Sequence, residues 1–481
     1  MLEKKRVQQL DIPSREGYDA IFNSNFLEDV PAALAQWGSS RVLLVSSKTL
    51  AAQHGDRIAA LQSALGSHRL ANTKLGVGSH SPYADVRDIA RRVQRLRADC
   101  VISVGGCSYS DACKAACLLA ANLAPDFTEE DMEALVDERR GIADARPEDG
   151  TPLRPRACRL VAVPTSLSAG EWNALSSATN ARTGKKQHFG GWEGGGQPDL
   201  ILLDPELAAA TSPERLWLSS GVRCVDHCVE LMCNPESAEG RCEGLHGHAE
   251  RGLRCMLGGL TEYKAAKTRA RGAGEKQQQQ QGTQEEKEEA GDKERQLLLE
   301  GVSECQYGSR EALTGLLIWR VPMGPSHAIG HQLGAVANVM HGVRLLATPS
   351  PSPHSRALIS FKTRPVSNLT LPPLQITSCV MLAPVLRWQA ANLSNPHYKT
   401  AQAKTLAIFN ETLGWREASA ADAVERFVRS LGLPTTLRDV GVVSDEEVRR
   451  IADKTMTDVW GGGKRQMEFD DVMEVLNSVR G

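Results

Sequence analysis

Four short apolar runs, separated by helical patterns, constrain the first two hundred residues more than any other feature. RVLLVSS (41–47), DCVISVGG (99–106), RLVAVPTS (159–166) and DLILLD (199–204) are Val-, Ile- and Leu-rich and too short for helices, so they read as buried strands. The stretch Ala51–Leu65, ADVRDIARRVQRLRA (84–98) and the small-residue run DACKAACLLAANLA (111–124) read as helices. In the second of these, Val86, Ile89, Ala90, Val93 and Leu96 recur at helical spacing. Strands alternating with helices make a parallel sheet flanked by helices.

Beyond about residue 205 the strand signal fades, and ERLWLSSGVRCVDHCVELM, GPSHAIGHQLGAVANVM, ADAVERFVRSLGL and DEEVRRIADKTMTDVW all carry helical periodicity. With 481 residues the chain exceeds one ordinary core. The expected division is an α/β half, residues 1–205, and a helical half, residues 206–481, with a ligand in the cleft between them. Two segments break this order. The polar, Gln/Glu/Lys-rich run 264–296 has almost nothing to bury and is expected to be a solvated, mobile insert. The Pro/Ser-rich run 344–375 has no periodicity and is too long for a structureless loop in a compact domain.

Charge and hydropathy remove several function classes. Lys+Arg 56 against Asp+Glu 58 leaves a net charge of -2, so no global field gathers nucleic acid or an anionic membrane. There is no run of 18 apolar residues, and the opening MLEKKRVQQLDIPSREGY lacks a signal peptide's apolar stretch. The twelve cysteines include no C-x-x-C pair, and Cys113, Cys117, Cys224 and Cys228 sit among small apolar residues. That usage fits buried, reduced thiols and a cytoplasmic protein with no membrane or nucleic-acid partner.

Three motifs carry chemistry. Gly105 and Gly106 stand where a strand hands over to a helix, which lets a diphosphate approach the backbone and the helix N-terminus, with Ser108 as a further donor. A tight turn with no ligand has the same pattern. PTSLSAGEWN (164–173) also follows a strand, and Thr165, Ser166 and Ser168 offer hydroxyls to ribose or phosphate oxygens, or simply cap a turn. In the helical half, His327 and His331 form an H-x-x-x-H pair on one helix face, with His227 in GVRCVDHCVE and His341 in MHG. Such a face presents two metal ligands, or a ligand and a proton carrier, or two unrelated histidines.

These segments resemble the iron-containing alcohol dehydrogenase family. VGGCSYSDACK is similar to that family's GGGSxxDxxK segment, PTSLSAGEWN to its PTTxSxGSExx segment, and GVRCVDHCVE and SHAIGHQLGAVANVMHG to its two metal-site segments. HSPYADV (80–86), PDLILLDPEL (198–207) and LGLPTTLRDVGV (431–442) fit in order, and the maleylacetate reductase-like branch is the nearest in pattern. The resemblance implies an α/β Rossmann-like N-terminal domain and an all-α C-terminal domain, the architecture shared with dehydroquinate synthase. It implies an NAD- or NADP-dependent oxidoreductase acting on a small carbonyl or alcohol substrate, an oxo-acid or aldehyde, and a homo-oligomer, a dimer or larger. Carried over by residue, Gly105, Gly106, Ser108 and Asp111 line the cofactor phosphates and ribose, Thr165, Ser166 and Ser168 hold the other side, and Lys186 lies near the nicotinamide ribose. His227, His327 and His341 become ligands of a divalent metal, iron or zinc, and His331 a proton relay beside the nicotinamide.

The chain departs from the family pattern at four places. Arg223 occupies the position of a carboxylate ligand, four residues before His227. A guanidinium within about 4 Å of a cation costs several kcal/mol even at an effective dielectric near 20, so metal binding is expected to be weak or dispensable. Adjacent Asp226 does not substitute, because neighbouring helical residues diverge by about 100°. Arg223 therefore either binds a substrate carboxylate or pairs with Asp226 at i+3. Ser47 stands where NAD-specific members carry an acid, so NADP is not excluded. Cys107 takes the third glycine's place, and the run 344–375 interrupts the chain directly after His341-Gly342, as a retained intron, a gene-model error or a surface loop. Two other readings remain. A dehydroquinate synthase-like lyase uses NAD transiently, although HCVE and SHAIGH favour the dehydrogenase side. A non-catalytic nucleotide-binding relic would be crippled at Arg223, Cys107 and the insert.

Overall fold

The computed structural model describes residues 2–10, 16–191, 195–276, 284–346, 376–458 and 464–481, without side chains for 272–276, 284–290 and 338–346. Its strands are β1 (Lys5–Gln8), β2 (Asp19–Phe22), β3 (Val42–Ser46), β4 (Leu70–Leu75), β5 (Cys100–Gly105), β6 (Ile142–Ala143), β7 (Arg159–Pro164), β8 (Leu175–Thr179), β9 (Lys186–Gly190) and β10 (Leu200–Leu203). Seven of them form one sheet in the order β1-β2-β10-β7-β5-β3-β4, parallel except for the β1–β2 pair. The four apolar runs of the sequence are its central strands, fully buried in β3, β5 and β10. Burial on both faces explains why they read as continuous apolar runs rather than alternating ones.

The strand order reverses at β3. From there the chain moves out to β4 on one side and then through β5, β7 and β10 on the other. In an open parallel sheet such a reversal leaves a crevice beyond the carboxyl ends of the two strands, where ligands bind. Ser46 pairs in register with Val104, so Ser47 and the Gly105–Gly106 turn leave the sheet at that crevice. A second sheet, β6-β9-β8, was not legible in the sequence, because LSSAT and KQHFG carry few apolar residues.

Helices are placed mostly as their periodicity requires. ADVRDIARRVQRLRA is the helix Tyr83–Leu96, with Val86, Ile89, Ala90 and Val93 buried. The stretch Ala51–Leu65 is split at His54 into Lys48–Gln53 and Gly55–Leu65. The helix expected from residue 111 begins instead at Cys107, directly after the glycine turn.

By contacts the chain divides into two compact units, Met1–Val225 with Gly247–Arg320, and Asp226–His246 with Val321–Gly481. This differs from a boundary at 205/206, because helical periodicity identifies a helix but not the unit that it packs in. The long helices Leu245–Lys276 and Gln284–Trp319 meet at two glycines. A Cβ on Gly259 would lie 2.7 Å from the Gly301 carbonyl oxygen, so only glycine permits this approach. The polar run 264–296 is likewise not an unstructured insert in its described parts, which continue those two helices. Its Lys, Glu, Gln, Arg and Ala residues are good helix formers. Lys264 pairs with Glu214 at 2.7 Å, and Arg269 with Glu262 at 2.6 Å and Glu294 at 2.7 Å. Residues 277–283 and 347–375 lie outside the described residues.

The second unit is helical, with a core that includes Ile329, Leu333, Val336, Ile376, Val380, Val448, Ile451 and Val475. All twelve cysteines are free; Cys107 and Cys255 are half-buried and the others buried. Among the described residues no helix is long and apolar enough to cross a membrane.

Candidate active site

In the first unit, two loops expected to face a dinucleotide leave neighbouring strands. Gly105 is in register with Pro164, and the Thr165 N–H donates to the Gly105 carbonyl at 3.0 Å. Gly105 has φ +156°, and a Cβ there would sit 2.8 Å from the Tyr109 ring, so the position demands glycine. Gly106 is the N-cap of the helix Cys107–Asn122 and brings no capping side chain, leaving the first-turn N–H groups to a ligand. A Cβ on Gly106 would lie 3.5 Å from Ser166 Oγ, which itself stands 3.2 Å from Ser168 Oγ. Gly105, Gly106, Thr165, Ser166 and Ser168 thus share one sheet edge.

Ser47 caps the helix Lys48–Gln53, its hydroxyl accepting from Leu50 N–H at 3.2 Å. The Ser108 carbonyl accepts from Ser81 Oγ at 2.9 Å. Lys186 is exposed on β9, and its charge adds to burial in lowering the pKa of His80. Cys107 directs its Sγ at Gly170, where a Cβ would meet it at 2.3 Å. The missing glycine side chain there is what accommodates the cysteine.

Sequence reasoning missed Lys114, which ties these loops together, and the buried Glu171. Lys114, with no exposed side-chain surface, pairs with Asp111 at 3.0 Å. It donates to the carbonyls of Gly170, Asn173 and Leu175 at 2.7, 3.0 and 2.8 Å. The Asp111–Lys114 spacing of i,i+3 was visible, but its partners across the chain were not. Glu171 is buried beneath the same loop, and burial pushes its carboxyl up to about 7. Below about pH 4.5 the carboxyl is neutral in both folded and unfolded chains, and stability is unaffected. Between about 4.5 and 7 the unfolded chain ionises first, so wild-type stability falls as pH rises and the loss is complete above about 7. Glu171→Gln removes the ionisable group and with it this loss. Relative to wild type, the variant is expected to gain about 3 kcal/mol between pH 4.5 and 8. A flat difference in urea-unfolding free energy across that range would refute it.

In the second unit, the end of the helix Glu214–Cys233 and the start of the helix Pro325–Leu346 bring two imidazoles together. His227 Nε2 lies 3.0 Å from His327 Nε2, with both residues buried. Two ring nitrogens so close need a proton or a cation between them. The other face of His327 is fixed by acids: its Nδ1 is 3.0 Å from Glu230 Oε2 and 3.3 Å from Asp226 Oδ2. With its proton directed to Glu230, His327 presents the Nε2 lone pair to His227. Glu230 also accepts from the N–H groups of Gly324 and Ser326, at 3.1 and 2.6 Å. Asp226 Oδ2 accepts from Ser378 Oγ at 2.6 Å, whereas its buried Oδ1 has no hydrogen-bond partner among the described residues. Burial, with the Asp226 charge second, raises the carboxyl pKa of Glu230.

This donor set fits a divalent metal. Ligand nitrogens about 2.1 Å from one ion stand about 3.0 Å apart at a right angle and about 3.4 Å apart at a tetrahedral one, so the 3.0 Å separation of the two Nε2 atoms is at the close end of shared coordination. Asp226, Glu230 and His327 also bring ligand-type atoms within 4.8 Å of one another. Both Glu230 oxygens are already occupied by N–H donors, however, so it suits the role of an outer partner orienting a ligand histidine. His331 sits one turn beyond His327, its ring 5.6 Å away and edge-on. Its Nδ1 is 3.7 Å from Asp458 Oδ2, which also accepts from Gln332 Nε2 at 2.7 Å. Asp458 had no signal in the sequence, whereas Glu230 was readable three residues after His227. His341 belongs to the same helix as His327, but its side chain lies outside the described ones. Arg223 is half-buried one turn before His227 on its helix, on the first unit's stretch of it.

Comparison with known proteins agrees with this chemistry. A family model described as "Iron-containing alcohol dehydrogenase" matches residues 18–205. A dehydrogenase from Alternaria alternata, ALT3, is 29% identical over 466 residues, covering 92% of this chain and 100% of that protein. Maleylacetate reductase from Burkholderia cepacia is 23% identical over 321 residues, 67% of this chain and 68% of that one. Among solved structures, the NADH-dependent butanol dehydrogenase A of Thermotoga maritima superposes with a TM-score of 0.67 at 16% identity, covering 96% of both chains.

Proposed function

We propose that the chain is a member of the iron-containing alcohol dehydrogenase family, whose model matches residues 18–205, and an NAD(P)-dependent oxidoreductase that interconverts a carbonyl, an oxo-acid or aldehyde, with its alcohol. The opposed His227 and His327 nitrogens, 3.0 Å apart against two buried acids, carry this reading. When bound, the nicotinamide supplies or accepts hydride and a divalent ion, iron or zinc, polarises the substrate oxygen.

Each residue has a defined task. The Gly105–Gly106 turn and the first-turn N–H groups after it bind the diphosphate, with Ser108, Asp111, Thr165, Ser166 and Ser168 around the phosphate and ribose oxygens. Lys186 serves the nicotinamide ribose. Ser47, being uncharged, tolerates a 2′-phosphate, so NADP serves as well as NAD. His227 and His327 would hold the metal, with His341 as the further ligand that the family likeness implies. His331 gives or takes the substrate proton, with Asp458 facing its Nδ1. Arg223 receives the carboxylate of an acidic substrate, in keeping with the likeness to a maleylacetate reductase.

The test is NADH and NADPH oxidation by the full chain against a panel of oxo-acids and aldehydes, after chelation and after readdition of iron or zinc. Net oxidation with both cofactors is expected, with kcat/KM values within about a thousandfold of each other. Chelation should reduce the rate and either metal restore it. No net oxidation by the metal-loaded protein would sink the reading in favour of a lyase or a non-catalytic binder.

A further inference from the structure

The family pattern places a metal-binding carboxylate where this chain has Arg223, and the second unit holds two buried carboxylates, Asp226 and Glu230, beside His327. We propose that Asp226 and Glu230 supply the negative charge for a divalent cation at the junction of His227 Nε2 and His327 Nε2, acting through the imidazole of His327 rather than by ligation. This rests on the metal site assigned above.

The first ground is position. Asp226 and Glu230 stand four residues apart on the helix Glu214–Cys233, so they share a face, and both reach the Nδ1 edge of His327. The opposite edge of that ring meets His227. The imidazole therefore separates the acids from the junction.

The second ground is rigidity. Gly324 lies so close to Glu230 that a Cβ there would stand 2.8 Å from Oε1. Backbone N–H groups of Gly324 and Ser326 hold the two carboxylate oxygens, and Ser378 holds Asp226. Neither acid can swing round to reach the junction without breaking these bonds.

The third ground is charge. Asp226 is 0% and Glu230 5% exposed, and among the described residues each forms its ion pair with His327. A buried carboxylate is costly without compensation, and one imidazolium can neutralise only one of two. A dication beyond the ring neutralises both, because electron density pushed from the acids through Nδ1–H makes Nε2 a stronger donor.

The experiment reads metal affinity, not turnover. The full chain is stripped with a chelator, and Zn²⁺ affinity is measured by competition with a fluorescent chelator for wild type, Asp226→Asn and Glu230→Gln. Urea unfolding followed by circular dichroism reports whether each variant is folded, and NADPH binding by fluorescence reports that the glycine turn of the first unit is intact. Each substitution is expected to weaken Zn²⁺ binding by about 10- to 100-fold with NADPH binding unchanged. If one variant fails to fold, the other carries the test. Wild-type Zn²⁺ affinity in the folded variants overturns the proposal, as does a wild-type protein that binds no Zn²⁺. Weakened Zn²⁺ binding with no carbonyl turnover would leave this inference standing and remove only the dehydrogenase reading. Turnover with unchanged Zn²⁺ affinity would do the reverse.

Discussion

His327→Ala is expected to lower kcat/KM for NAD(P)H-dependent carbonyl reduction by about 10³-fold or more. The residue has two jobs that alanine cannot share. Its Nε2 completes the junction with His227, and its Nδ1 gives Glu230 and Asp226 their partner. Losing the metal's polarisation of the substrate oxygen alone costs several kcal/mol, and each 1.4 kcal/mol or so is a factor of ten in rate. His227→Ala should fall to a similar level. The double variant should be little worse than either, since residues that act as a unit lose their effect together. Dinucleotide affinity should be retained, because the glycine turn belongs to the other unit. Steady-state kinetics with fluorescence titration of NADPH check this, and a loss of less than tenfold would remove His327 from the reaction.

Lys114→Met is expected to destabilise the fold by about 3–5 kcal/mol. The methionine keeps the volume but removes every polar contact of a side chain with no exposed surface. It leaves Asp111 without its ion-pair partner, and breaking a buried pair on one side costs about this much. Three carbonyls, of Gly170, Asn173 and Leu175, lose their donor as well. These carbonyls lie in and just beyond the loop that carries Ser166 and Ser168, so dinucleotide affinity should also fall. Urea unfolding followed by circular dichroism measures the first effect, and a change under 1 kcal/mol would show that water replaces the amine.

The central sheet was legible because burial on both faces leaves its strands with little but Val, Ile and Leu. Other strands gave no such signal: LANTKL in the edge strand β4 has one buried residue, and β8 and β9 of the second sheet carry few apolar residues. The candidate site divided in the same way. Glycines after a strand and histidines four apart are local patterns, and the structure brings Gly105, Gly106, Thr165, Ser166 and Ser168 to one edge and His227 and His327 to one point. What made those groups usable was not local. Lys114 finds its carbonyls 56 to 61 residues away, and Glu230 finds its imidazole 97 residues away. Such partners are decided by packing, which no short window contains. The polar run 264–296 failed for the opposite reason: its composition is that of a disordered tract, but long helices with ion-paired tips have the same composition.

The route of the chain between its two units has a consequence for synthesis. It leaves the first unit after Val225, returns at Gly247 and leaves again after Arg320. A ribosome therefore cannot release a complete first unit until Arg320 has emerged from its exit tunnel, although the family match ends at residue 205. By then His227 has been waiting for its partner imidazole, 100 residues behind it in translation. A fragment cut at the family boundary would lack the glycine-crossed helical pair and is not a separable module.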